Sequence, residues 1–404
     1  MTPRRILFVY HRAFLPFEGR YLRIYNQAVA LVAKGWNVQV LACDRGGDLP
    51  EHETVDGIEV SRIRMARHGA SQGPRALLVM VRYMAAMRRF LATAEVDLVE
   101  CCNLDGAIPT LLAARRRKLP CFLDLCEPEY CLAWPRYLAP AIWGFRWLER
   151  FLARRYDAIV VHNQYQIEKF KRAGVKRVLR VGSYPRKMAQ VPAPTVGAKV
   201  AGSRDVLIGR IGSIYEDNGI EELLAAYDQL KPLGARDGVN YRMLLAGRVF
   251  DSYQKTFAEQ MAGRGDEVTN TGAYTPGDLP RLYGQLTVAS LIYRRTRFFR
   301  NVTPTKLFEA MACGVPVVAS DMGDMAEIVT EAGCGYVVDE NDPVAVAEAI
   351  HKIALNGEGC RAMGLRGRAA AHQTYCFEVY EAAYIDLCNQ HLPASLAFAK
   401  EDAS

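Results

Sequence analysis

The strongest constraint on this chain is an alternation, made twice, between short apolar runs and longer stretches of helical period. Arg5 to Tyr10 is a nearly continuous apolar run, the pattern of a strand covered on both faces. Arg20 to Lys34 repeats at helical spacing and stops at Gly35, a residue suited to the left-handed turn that ends helices. Further strand-like runs are Asn37 to Ala42, Val96 to Glu100, Cys121 to Leu125, Ala158 to Val161 and Arg177 to Val181. Strands separated by helices require a parallel sheet with right-handed crossovers. Lys187 to Ser203 is rich in Pro, Ala, Gly and Val, lacks periodicity and reads as a linker. The alternation then restarts. Strands are predicted at Val206–Gly209, Tyr241–Gly247, Val288–Tyr293, Val315–Ala319 and Gly335–Val338, with helices at Ile220–Lys231, Ser252–Ala262, Lys306–Cys313 and Pro343–Leu355. A chain of 404 residues exceeds one ordinary core. The expected division is a domain over 1–186, a linker over 187–203 and a domain over 204–375. Ligands of such α/β sheets bind at the carboxyl ends of the strands, and paired domains bind between them.

Composition narrows the partners. Half of the residues are apolar and 24% are charged, as in soluble globular proteins. No run reaches the roughly 20 apolar residues that cross a bilayer; Ala76 to Val81 is closed by Arg82. Met1 to Arg5 leads straight into a strand, so no secretory leader is expected. The 11 cysteines are scattered without a Cys-x-x-Cys pair and read as reduced cytoplasmic thiols. Residues 1–188 hold 31 Lys+Arg against 17 Asp+Glu, a net +14, whereas 189–404 hold 20 against 27, a net −7. The first half is therefore expected to face something negative: a nucleic acid, an anionic membrane or a phosphorylated acceptor. In Ala141 to Tyr156, Arg146, Arg150 and Arg154 form one stripe, with Trp147, Leu148, Phe151 and Leu152 on the other side. With Trp134 and Trp143 nearby, this helix either docks on anionic lipid or buries its apolar side and leaves its arginines to solvent. Arg115 to Lys118 is a second basic patch. It sits at a helix end without interleaved aromatics, which argues against nucleic-acid binding.

The most specific motif is Pro304-Thr-Lys-Leu-Phe-Glu-Ala-Met-Ala-Cys-Gly-Val-Pro-Val-Val-Ala-Ser320. It resembles the donor-site signature of glycosyltransferase family 4, retaining enzymes of the GT-B fold. Gly212 to Gly219, Leu244 to Gly247, Gly323 to Glu327 and Gly335 to Pro343 resemble other elements of that family's second domain, and Gly35 to Val40 resembles a strand entry of its first. The resemblance implies two doubly wound Rossmann-like domains facing across a cleft, with a C-terminal helix at about 376–392 packing back on the first. It implies transfer of a sugar from a nucleoside diphosphate sugar to a glycan or lipid-linked acceptor, with retention, in cell-surface polysaccharide biosynthesis. Thr305, Lys306 and Leu307 open a helix whose free N–H groups and positive dipole end suit a diphosphate. The resemblance assigns Glu309, one turn further in, to the ribose hydroxyls. Gly19, in the loop before the first helix, lets backbone approach donor or acceptor.

Several positions depart from the family pattern. Asn301 stands where an acidic residue usually lies near the donor sugar, Ser213 and Asn218 where an Arg and a Lys usually hold the diphosphate, and Cys126 where a first-domain His is common. Arg210 is near the turn but out of register. Arg294, Arg295, Arg297 and Arg300 cluster before Asn301 and are expected to supply phosphate charge instead. Glu127 and Glu129 flank Pro128 at a strand's carboxyl end, placed to orient or deprotonate an acceptor hydroxyl. The expected site is thus Asn301, Glu127 and Cys126 for the chemistry, with Gly19, Gly212, Ser213, Asn218, Arg300, Thr305, Lys306, Leu307 and Glu309 for the donor. No cofactor or metal is expected, because no Asp-x-Asp motif occurs in a strand-end loop. The expected place is the cytoplasm, peripheral on the inner face of the membrane. A non-catalytic partner subunit of another transferase and a nucleotide-sugar epimerase of the same fold remain as alternatives.

Overall fold

The apolar runs become two sheets in the computed structural model of the chain, which describes residues 4–11, 14, 22–44, 49–64, 74–125, 139–186, 205–296, 299 and 302–392. The chain divides into unit 1, residues 1–183 with 377–404, and unit 2, residues 184–376. The linker stretch 187–203 lies outside the described residues.

Unit 1 contains β1 (Arg5–Tyr10), α1 (Leu22–Ala33), β2 (Asn37–Asp44), β3 (His52–Val55), β4 (Ile58–Arg64), α2 (Pro74–Thr93), β5 (Leu98–Cys102), α3 (Ala107–Arg117), β6 (Cys121–Leu125), α4 (Ala139–Ala153), β7 (Ala158–Val161), α5 (Gln164–Arg172) and β8 (Val178–Arg180). The strands lie in the order β3-β4-β2-β1-β5-β6-β7-β8, parallel except for the antiparallel pair β3–β4. That hairpin is absent from the sequence-based expectation, although its signal is present. Asp56-Gly57 makes the two-residue turn, with φ of 50° and 77°, and such a turn needs both residues left-handed.

A final helix, here numbered α13 (Glu378–Gln390), belongs to unit 1. Phe377, Tyr384, Ile385 and Cys388 join α1 and one face of the sheet in a single apolar cluster. Beneath it is a sealed polar network. Arg23 of α1 pairs with Asp124 of β6, both side chains wholly buried. Gln27 donates to Asp124 at 3.1 Å, and the Tyr384 hydroxyl donates to Glu100 at 2.6 Å. Burial, and then the neighbouring Asp124 charge, push the Glu100 carboxyl well above its ordinary value, which favours its neutral form beside the Arg23–Asp124 pair.

Unit 2 contains β9 (Asp205–Ile211), α6 (Ile220–Asp237), β10 (Asn240–Ala246), α7 (Gln254–Met261), β11 (Val268–Asn270), α8 (Leu279–Gly284), β12 (Val288–Leu291), α9 (Thr305–Ala312), β13 (Val317–Ser320), α10 (Gly323–Ala332), β14 (Gly335–Val338), α11 (Pro343–Leu355) and α12 (Gly357–Gln373). Its six strands lie in the order β11-β10-β9-β12-β13-β14, with every pairing parallel. The α6 helix runs six residues beyond the expected end at Lys231 and includes Pro232. Proline there removes one backbone donor, but packing of α6 on α11 carries the helix on to Gly238, which ends it at φ 68°.

The buried network yields a paired prediction. Asp124→Ala strands the buried Arg23 charge and should cost about 3–5 kcal/mol. Glu100→Gln keeps the shape of the side chain and leaves Arg23 paired, and should cost far less. Because folding raises the Glu100 pKa, its contribution is full below the ordinary carboxyl range and is lost as the pH rises through the folded value. The Glu100→Gln variant should therefore gain on the wild type as pH increases. Urea denaturation of both variants across pH checks this, and equal losses at every pH would contradict it.

Candidate functional site

In unit 2 the strand order reverses at β9, flanked by β10 and β12. Open parallel sheets bind ligands at such a reversal, beyond the carboxyl ends of the strands. Three loops converge there. The turn after β9 starts at Gly212, whose N–H donates to the Ala246 carbonyl at 2.8 Å. A Cβ at Gly247 would lie 1.9 Å from the Gly212 carbonyl oxygen, so glycine alone lets the β10 loop close on this turn. The loop after β12 is pinned by Ser320, whose hydroxyl accepts from the Tyr293 N–H at 2.9 Å and donates to its carbonyl at 3.0 Å.

The α9 helix supplies the charge. Pro304 caps it in an extended conformation and no side chain caps its first turn, so its N-terminal donors keep their positive end open. Lys306 reaches back over the Gly212 turn; a Cβ on Gly212 would stand 3.7 Å from its side chain. Its Nζ lies 2.8 and 3.0 Å from the two oxygens of Glu309. Glu309 is buried, and the Tyr283 hydroxyl donates to it at 3.3 Å. Burial pulls the Lys306 ammonium down, but Glu309 and Tyr274 outweigh this and hold it above its ordinary value. Burial and then Glu309 push the Tyr283 hydroxyl well up, so it remains a donor. The Lys306 ammonium also lies 5.4 Å from the Tyr274 ring centroid.

The expected residues meet only in part. Gly212, Thr305, Lys306 and Glu309 share this place, and Ser213 is exposed on the same turn. Asn218 is buried, and its side chain is spent on the turn, accepting from the Tyr215 N–H at 3.0 Å. Through this oxygen it braces the loop. Leu307 is sealed in the core and its N–H donates to the Pro304 carbonyl, so it supports the helix from behind. Arg294 and Arg295 are both engaged by carboxylates. Arg294 pairs with Glu221 and with Glu222, the latter at 2.6 Å, and Arg295 faces Glu340 at 3.4 Å. Carboxylates twenty or more residues away in sequence claim them, which a local run of arginines does not reveal. Gly19, Cys126, Glu127, Glu129, Arg297, Arg300 and Asn301 lie outside the described residues.

Three contributors have no motif. Tyr283 and Tyr274 flank the ion pair from α8 and the loop before it. Arg210 is wholly buried, stacks 4.1 Å from the Tyr293 ring and donates to the Asn218 carbonyl at 3.0 Å. It knits the β9 and β12 loops together. In unit 1 the order reverses at β1, and His11 there faces Asp105 at 3.2 Å, beyond the carboxyl ends of β1 and β5.

Two family models match the chain. "Glycosyl transferase 4-like domain" covers residues 20–182, and "Glycosyl transferases group 1" covers 205–356, the segment that holds the β9 turn and α9. The chain belongs to glycosyltransferase family 4. The human alpha-1,3/1,6-mannosyltransferase ALG2 is 25% identical over 388 residues, covering 88% of this chain and 89% of that protein. Among solved structures, sucrose-phosphate synthase from Thermosynechococcus elongatus superimposes with a TM-score of 0.77 at 17% identity, over 96% of this chain and 99% of that one. HepE from Anabaena, in complex with UDP-glucose, gives 0.69 at 16%, over 96% and 99%. The fold is GT-B, and the activity is that of a hexosyltransferase-type glycosyltransferase.

In this transferase Lys306 and Glu309 should be energetically coupled. Lys306→Met leaves a buried, unanswered carboxylate and should cost about 3 kcal/mol. Adding Glu309→Gln should restore at least about 1 kcal/mol of that loss. Denaturation of the four proteins of the cycle checks this; strictly additive losses would contradict it.

Proposed function

We propose that this enzyme moves a sugar, with retention, from a nucleoside diphosphate sugar to a glycan or lipid-linked acceptor in the assembly of a cell-surface polysaccharide. It works in the cytoplasm, peripherally on the inner face of the membrane. One observation carries the donor side of this reading: an open helix N-terminus and Lys306 lie beside the Gly212 turn, with buried Glu309 one turn deeper. Three residues of α-helix rise roughly 4.5 Å, a step suited to passing from a phosphate at the helix mouth to the ribose next to it. Lys306 and the helix dipole answer the diphosphate; Glu309 accepts from the ribose hydroxyls. Further support comes from the relatives: the human one is named a mannosyltransferase, and HepE was crystallised with UDP-glucose.

The chemistry follows from that placement. The bond between the anomeric carbon and the diphosphate oxygen breaks, and its electron pair leaves with the diphosphate. The acceptor hydroxyl oxygen bonds to the same face of that carbon and passes its proton to the departing diphosphate oxygen. Negative charge grows on the leaving group, where Lys306 and the α9 amides hold it; preorganised charge of this kind is usually the largest catalytic contribution. No metal ion is needed in this scheme. The sequence register assigns Asn301 to a donor-sugar hydroxyl, Arg300 to the diphosphate, Gly19 to a close backbone approach, Cys126 to a place near the donor sugar, and Glu127 to the acceptor side, orienting the hydroxyl. Nucleic acid has no part in the reaction.

The assignment of Glu309 is open to a direct check. Glu309→Ala removes two charge-assisted hydrogen bonds to ribose and should weaken nucleoside diphosphate binding about a hundredfold or more. Calorimetric titration with UDP and GDP measures it. Unchanged affinity for the diphosphate that the wild type binds would refute the role.

A further inference from the structure

Unit 1 carries a surface that sugar transfer does not explain. The α2, α3 and α4 helices pack their inner sides on one face of the sheet, through residues such as Met87, Leu111 and Leu152. Their sequences contain a single acid, Glu149. Glu149 is buried and paired with Lys169, so the described outer sides of the three helices present no carboxylate at all. Arginine is plentiful there: Arg82, Arg88 and Arg89 on α2, Arg116 on α3 and Arg150 on α4 are all exposed.

Large apolar side chains stand among these charges. Trp143 and Trp147, one turn apart on α4, are 73% and 54% exposed. Trp147 stacks on Phe151 with ring centroids 5.0 Å apart. Ile108 and Leu112, one turn apart on α3, are exposed too. The two helices are tied together, because Arg115 donates to the Arg155 carbonyl and the Tyr156 hydroxyl donates to the Ala107 carbonyl at 2.6 Å. The tryptophans thus occupy the arginine side of α4, while Ile142, Leu152 and Ala153 turn inward. This corrects the sequence-based division of the helix into one apolar and one basic side.

We infer that the outer sides of α2, α3 and α4 form the face by which this enzyme docks on an anionic lipid bilayer, the tryptophans entering the headgroup layer and the arginines meeting lipid phosphates. The inference rests on the reading of a membrane-bound acceptor and specifies the surface that meets it. Indole rings are amphipathic and settle at the level of the headgroups, and a surface whose helices expose arginines and no acid is complementary to an anionic leaflet. No described helix is long and apolar enough to cross a membrane, so the contact is interfacial.

The test is co-sedimentation of the full chain with vesicles of phosphatidylcholine alone and of phosphatidylcholine mixed with phosphatidylglycerol. The wild type should bind the anionic vesicles at low salt and leave them as salt increases. Reversing two exposed charges (Arg116→Glu with Arg150→Glu) should weaken binding about 30-fold or more. Trp143→Ser with Trp147→Ser should weaken it and abolish the blue shift of tryptophan fluorescence on binding. Absence of binding at low salt, equal binding to neutral vesicles, or full binding by both variants overturns the inference, as does a preference for duplex DNA over anionic vesicles. A thermal shift with UDP or GDP is recorded on the same samples. A nucleotide response without vesicle binding sinks the docking face alone, and vesicle binding without a response to any nucleoside diphosphate sinks the donor reading alone.

Discussion

A carboxylate almost sealed from water, one turn inside a helix, has to be answered, and Lys306 answers Glu309 from the preceding turn. The rest of the unit 2 site is arranged around that pair. Tyr283 donates to the carboxylate, Tyr274 lies beside the ammonium, and the Gly212 turn runs close enough that even a methyl group there would touch the lysine side chain. Without ligand, each charge satisfies the other. On the proposed reading, a nucleoside diphosphate would give each a new partner, phosphate for Lys306 and ribose for Glu309, so binding would strand neither charge.

The same logic of strand order serves both units. Each sheet reverses direction at its first strand, β1 or β9, and the loops at that reversal hold the polar groups. In unit 2 these loops are braced from below by buried Arg210, which joins the β9 turn to Tyr293 and the Asn218 carbonyl. In unit 1 the Arg23–Asp124 pair joins α1 to β6, and Tyr384 of α13 donates to the neighbouring Glu100. In unit 2 buried charge therefore joins the loops, and Lys306 and the open end of α9 lie beside them.

Much of the fold was legible in the sequence because parallel sheets advertise themselves. Strands buried on both faces read as unbroken apolar runs, and β1, β6, β7 and β13 stand close to their expected places. The β3–β4 hairpin shows the limit. Its strands are half exposed, β3 has only four residues, and Asp56-Gly57 marks the turn. Around the site, residues tied to local spacing were readable: Lys306 and Glu309 meet because three residues along a helix are neighbours. Residues tied by tertiary packing were not. Four consecutive-looking arginines suggest one basic cluster, yet Arg294 and Arg295 are each consumed by distant acids, and Tyr283 reaches Glu309 from another helix. On α4 the apolar residues were plain, but which of them turn outward depended on the sheet beneath.

The central claim is that α9 reads a nucleoside diphosphate in two parts, phosphate through Lys306 and ribose through Glu309. Calorimetry with UDP, UMP and uridine, and with the guanosine series, against wild type and Lys306→Met measures this directly. The account predicts that the wild type gains affinity steeply from nucleoside to diphosphate, and that Lys306→Met loses most of that gain while its affinity for the nucleoside changes little. A Lys306→Met variant that keeps the full diphosphate gain would contradict it.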